Sequence, residues 1–187
     1  MKTLLIILTI LSSFFANLEQ KTLQTEFVAS VSDEVNAPLH YPGTVTIHAQ
    51  QFILSMFGID AAYDGKSLYM YSSDTDELTI SDPSQQELAQ TNPFMMAKTV
   101  AENCTVTEMP SADGKETIVT LTPKEPGTGF NRFTLRIRNA DLMPLHLEIR
   151  EGQKTSSLQL QNPMFITSEP KFVIEPNSTT FVNDLRL

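Results

Sequence analysis

Three histidines, one cysteine and a few neighbouring carboxylates are the side chains of this 187-residue sequence best equipped for chemistry. None is spaced to work with another. His40, His48 and His146 are far apart, and no pair has the short separation that metal ligands on one element need. Cys104 is alone, so it can form neither an intramolecular disulfide nor a thiolate metal cluster, and it reads as a small buried hydrophobe. Asp74 and Asp76 fall in the polar turn SSDTDE, where solvation is sufficient reason for them. There is no G-x-S-x-G, no H-E-x-x-H and no glycine-rich phosphate loop. The reading is a binding protein and not an enzyme, with no catalytic residue, no metal and no cofactor.

Charge narrows the partner. Lys and Arg number 13 against 22 Asp and Glu, a formal net charge of −9, which argues against nucleic acid and against an anionic membrane surface. The basic residues that do concentrate are Arg132, Arg136, Arg138 and Arg150.

The opening segment carries Lys2 and then an apolar run from Leu4 to Phe15, interrupted by Thr9, Ser12 and Ser13. That is shorter than the roughly 20 residues a spanning helix needs, and it fits the apolar region of an export signal. The expected division is a signal over residues 1–17, cut near Ala16, and a single domain over 18–187.

The elements that must position any site are mostly strands. In FNRFTLRIRN, Phe133, Leu135 and Ile137 share one face, while Arg132, Thr134, Arg136 and Arg138 share the other. Leu145, Leu147 and Ile149 alternate in the same way with His146, Glu148 and Arg150. Leu158 and Leu160 alternate with Ser157, Gln159 and Gln161. These read as consecutive strands of an antiparallel meander with one wet face. TVTIHA, QFILSMF, KSLYMYS, ELTIS and ETIVTLTP add further strands, and Asp64-Gly65 and Asp113-Gly114 read as two-residue hairpin turns.

Helix is scarce. One short helix is expected to start with Ser81 or Asp82 as cap and Pro83 at its first position. A second is expected to start at Asn92-Pro93. Asn17 to Phe27 offers one or two turns at most. The sum is a mostly β (α+β) domain of seven to nine strands with one or two short helices. The helical stretch from Pro83 to Ala101 is too small to cover the whole apolar face, which leaves a concave apolar cavity.

Several stretches, in order and correctly spaced, resemble the LolA family of periplasmic lipoprotein carriers of Gram-negative bacteria. They are Gly43-Thr44-Val45 followed by Tyr63-Asp64-Gly65-Lys66-Ser67-Leu68-Tyr69-Met70-Tyr71, then Asn92-Pro93-Phe94. After these come Leu121-Thr122-Pro123-Lys124-Glu125 with Gly129-Phe130-Asn131-Arg132-Phe133-Thr134-Leu135. The ending pairs Lys171-Phe172-Val173-Ile174-Glu175-Pro176 with Val182-Asn183-Asp184. The likeness runs from about Phe27 to the C-terminus.

The resemblance implies an incomplete antiparallel β-barrel, a strongly curved sheet whose concave apolar face is lidded by short helices. It implies a periplasmic, monomeric carrier that takes the acyl chains of lipoproteins toward the outer membrane, between an inner-membrane release transporter and an outer-membrane acceptor. The alternative on the same fold is a lipid-binding or lipid-sensing module that carries nothing. The cavity would be lined by Val45, Ile47, Phe52, Leu54, Leu121, Phe133, Leu135, Ile137, Leu145, Leu147 and Ile149. The lid would contribute Phe94, Met95 and Met96, methionine being a side chain that repacks easily. The sequence departs from the family in two places. Asn17 to Glu26 leaves little room for the family's first helix, and His48-Ala49-Gln50-Gln51 lacks the arginine that latches the lid.

Overall fold

Alternating apolar side chains along successive segments give strands that are buried on one side only, and such strands pair until their apolar faces form one continuous surface. In the computed structural model the described residues form a single open sheet of twelve strands, numbered β1 to β12 along the chain and arranged in the order β12-β6-β5-β4-β3-β2-β1-β11-β10-β9-β8-β7. The structure describes residues 2–33, 35–125, 127, 129–168 and 170–186, and for residues 2–9, 89 and 90 the backbone alone. Both ends of the expected division, Met1 and Leu187, lie outside the described residues.

The first half of the sheet holds β1 (Thr22–Ser32), β2 (Leu39–His48), β3 (Gln51–Met56), β4 (Ile59–Tyr63), β5 (Leu68–Ser72) and β6 (Glu77–Ser81). The second half holds β7 (Cys104–Pro110), β8 (Glu116–Pro123), β9 (Arg132–Arg138), β10 (Met143–Glu151) and β11 (Lys154–Ile166). The halves join where β1 pairs antiparallel with β11. A short parallel strand, β12 (Phe181–Asp184), lies against β6. The strand number exceeds the expected seven to nine, and the sheet stays open between β12 and β7, as expected of an incomplete barrel.

Among the described residues three helices cover the concave face: α1 (Lys2–Gln20), α2 (Gln85–Thr91) and α3 (Pro93–Ala101). Asn92 caps α3, its Oδ1 accepting from the N–H groups of Phe94 and Met95, and Pro93 stands at the first helical position, as expected. The cap of α2 is Ser84, closing a capping box with Glu87, and not Ser81 or Asp82. The reason is that β6 runs on to Ser81, which pairs with Leu68.

The turns also differ. Asp64 to Ser67 form a four-residue loop between the paired Tyr63 and Leu68, and only Gly65 has positive φ there. The Asp64 carboxylate organises the loop by accepting from the N–H groups of Lys66 and Ser67 and from the Tyr69 hydroxyl. The Asp113-Gly114 connection is longer still, between Pro110 and Glu116.

Candidate functional site: an apolar pocket on the concave face

The inner face is set by parity. Phe133, Leu135 and Ile137 are buried, whereas Arg132 and Arg136 are exposed on the opposite side. The outer arginines are each met by a carboxylate: Arg136 Nη2 lies 2.6 Å from Glu116, Arg138 grips Asp141 through two nitrogens, and Arg132 lies 3.6 Å from Glu148. His146 faces the same outer side, opposite Arg136 in register, where burial lowers its pKa.

Of the expected lining, Val45, Ile47, Phe52, Leu121, Phe133, Leu135, Ile137 and Leu147 are buried in one apolar cluster, with Leu54 and Ile149 partly buried against it. Leu145 is set apart. The register shifts between Pro144 and His146, so Pro144 takes the place opposite Ile137 and Leu145 is absorbed by the bulge. Among the lid residues Phe94 and Met95 are buried, and Met96 packs partly buried against the cluster.

Most of that face is therefore filled. The open part is an apolar pocket of about 190 Å³ between the sheet and the α2–α3 junction. Phe27, Ala29, Val31, Leu54, Met56, Leu147, Ile149 and Leu158 line it from the sheet, with Thr91 and Pro93 at the junction. Only Leu54, Leu147 and Ile149 of the expected lining reach it. The residues that sequence reasoning missed belong chiefly to β1, whose signal was present in Leu23, Phe27, Ala29 and Val31 at every second position or its multiple.

Phe27 depends on Gly43, the glycine that leads its neighbour strand. The two pair directly, and a Cβ on Gly43 would come within 2.8 Å of Phe27 Cε2 and 2.6 Å of the Ser55 carbonyl oxygen. Glycine lets the aromatic ring come this close to the neighbouring backbone.

The rest of the face is covered by α1. Leu11, Phe14 and Leu18 enter the cluster, and the Phe14 ring lies 5.8 Å from that of Phe94. The segment expected to leave little room for a first helix thus supplies only the end of one, which continues back into the apolar run. Among the described residues no arginine latches the cover. Instead Ala49, in a left-handed conformation at the β2–β3 turn, donates its N–H to the Leu18 carbonyl at 2.7 Å. This satisfies one of the carbonyls left free at the helix end. Lys98 on α3 pairs with Glu19 at 2.6 Å.

A carboxyl group also intrudes on this face. Glu108, on the inner parity of edge strand β7, lies against the Leu11 N–H, and its Oε1 has no hydrogen-bond partner. Burial pushes its carboxyl above the usual range. Cys104, at the start of the same strand, is buried, and desolvation raises its thiol pKa. Among the described residues no group of His, Cys, Asp and Glu is placed to hold a metal, and no helix is long and apolar enough to cross a membrane.

An open, mostly antiparallel sheet, helices across its concave side and an apolar pocket at the α2–α3 junction make up the site. The outer membrane lipoprotein carrier protein LolA family model matches residues 60–170, and the chain belongs to that family. An outer-membrane lipoprotein carrier protein of Chromohalobacter salexigens is 32% identical over 96 residues, which are 50% of this chain and 44% of that protein. This chain thus matches less than half the length of that relative. Among solved structures, an uncharacterized conserved protein of Thermus thermophilus shares the fold, with a TM-score of 0.63 at 13% identity over 93% of this chain and 96% of that one. A LolA superfamily protein of Nitrosomonas europaea gives a TM-score of 0.43 at 11% identity, over 87% and 97% of the two chains.

Proposed function

We propose that the chain is a periplasmic carrier that holds the acyl chains of lipoproteins in its concave apolar face and escorts them toward the outer membrane. The observation that carries this reading is the apolar pocket under the α2–α3 junction, open to solvent yet lined by Phe27, Leu54, Met56, Leu147, Ile149 and Leu158. Binding of this kind needs no catalysis. Each methylene buried contributes about 0.8 kcal/mol, so one partly inserted chain gives an affinity that is useful and still reversible. An inner-membrane release transporter would load the monomeric carrier, and an outer-membrane acceptor would unload it.

Residues 1–17 act in this reading as the export signal, and 18–187 as the carrier domain. Cleavage near Ala16 takes Leu11 and Phe14 out of the apolar cluster and leaves Leu18. The face vacated beside Phe94 then extends the pocket. A methyl-ended chain suits that space better than any polar ligand, because its walls offer few hydrogen-bond partners.

The test is titration of a fluorescent fatty-acid probe into the native protein and an Ile149→Glu variant. Ile149 is only partly buried, so a charge there should leave the melt near native while lowering probe affinity by about tenfold or more. Equal affinity in both proteins would remove the pocket from the proposal.

A further inference from the structure

The turn between β3 and β4 carries a residue poorly suited to it. Met56 and Ile59 pair across the hairpin, so Phe57 and Gly58 form a two-residue turn with φ of 57° and 74°. Gly58 takes such a conformation freely. Phe57 does not, because a bulky L-residue is strained in the left-handed region, and asparagine or glycine is the ordinary choice. Strain of this kind persists where something else requires the residue.

Burial is not what requires it: Phe57 is 76% exposed, and its ring meets Tyr41 edge-on at 5.1 Å. Leu39 at 59% and Ile59 at 37% extend the exposed apolar surface. It is continuous with the pocket, because Leu39 pairs with Val31 and Ile59 with Met56, and both Val31 and Met56 line the pocket.

We propose that the Phe57 tip docks the chain on a zwitterionic phospholipid surface, with the pocket mouth turned toward the leaflet. This rests on the carrier reading, in which acyl chains enter and leave the pocket beside a bilayer. A tip of one aromatic and two aliphatic residues is far smaller than the roughly 800 Å² per partner of a stable protein interface. It suits shallow, reversible insertion into lipid, where aromatic rings settle at the interface. Charge selects the lipid. The net charge is −9, Asp74 lies beside Gly58, and Asp33 stands in the neighbouring loop, so an anionic leaflet would repel the tip.

The sequence contains no tryptophan, so a single one can report the depth of any position. Phe57→Trp and, as control, Phe181→Trp are made in the full chain. Phe181 is as openly exposed, at 66%, but sits on edge strand β12, beyond β6, β5 and β4. Each is mixed with phosphatidylcholine vesicles carrying brominated acyl chains. The expected result is a blue shift and strong quenching for Phe57→Trp and neither for Phe181→Trp, with both effects weakened by adding phosphatidylglycerol.

Absence of quenching in Phe57→Trp, or equal quenching in both variants, overturns the docking proposal. A soluble fatty-acid probe titrated in parallel separates the two claims. Native probe binding without quenching removes docking and leaves the carrier reading. Absent probe binding removes the carrier reading on which docking rests and overturns both.

Discussion

The ring of Phe14 lies 5.8 Å from the ring of Phe94 with their planes tilted by 44°, so α1 and α3 share one apolar seam over the concave face. Both residues are essentially inaccessible. Two of the covering helices thus pack on each other as well as on the sheet.

That seam predicts energetic coupling. Phe14→Ala and Phe94→Ala should each destabilise the full chain by about 3–5 kcal/mol, since each empties a buried ring site. The double variant should lose about 0.5–1.5 kcal/mol less than the two single losses together, the share that belongs to the ring pair. Denaturant melts of the four proteins measure it. Strict additivity would mean that α1 does not seat against α3.

Gly43→Ala should damage the pocket through Phe27. The added methyl collides with the ring and with the Ser55 carbonyl, and a backbone oxygen cannot step aside cheaply. A stability loss of about 1–3 kcal/mol is expected. Probe affinity should fall beyond what the melt alone accounts for. A native affinity in the folded variant would show that the ring's place does not matter to the ligand.

Glu108 gives a pH signature. Burial raises its folded-state pKa above the value it has unfolded, so its ionised form is disfavoured in the fold. Its contribution is fully present below the unfolded value of 4.5 and is lost as pH rises through the raised folded value. Glu108→Gln should therefore melt higher than the native chain at pH 7. The gap should close as the pH is lowered toward 4.5. A gap that is constant across this window would show that Glu108 is not desolvated.

Phe57→Asn should raise stability by about 1 kcal/mol, because Asn-Gly is the preferred pair for a turn with two positive φ values. Probe binding should be unaffected, Phe57 being outside the pocket lining. A lower melting temperature would indicate that the ring contact with Tyr41 outweighs the strain.

The meander from β9 to β11 was legible in the sequence because Phe133, Leu135, Ile137, Leu147, Leu158 and Leu160 alternate with polar residues without interruption. The bulge at Pro144 left no trace in that pattern, and it displaced Leu145. Strand β1 was hidden by Thr25, which sits buried on the inner side with its hydroxyl bonded to the Glu26 and Gln161 carbonyls and so breaks an otherwise apolar row. The tight Phe57-Gly58 turn was read as the end of a strand, since an exposed phenylalanine in a turn looks like core from its type alone. Strand β12 depends on parallel pairing with a segment a hundred residues earlier, which no local pattern encodes.

The start of the chain is the clearest case. An apolar run with one lysine ahead of it has the composition of an export signal whether or not its second half packs on a sheet. The burial of Leu11, Phe14 and Leu18 is a property of the sheet they meet, and that sheet forms only from residues far downstream.

If the concave face holds acyl chains, native mass spectrometry of the protein recovered from the periplasm will detect them. The expected species is a chain beginning near Asn17 with a bound acylated molecule that dissociates on collisional activation. A processed chain of the bare protein mass, recovered gently and still unable to take up a supplied acyl chain, would contradict such binding.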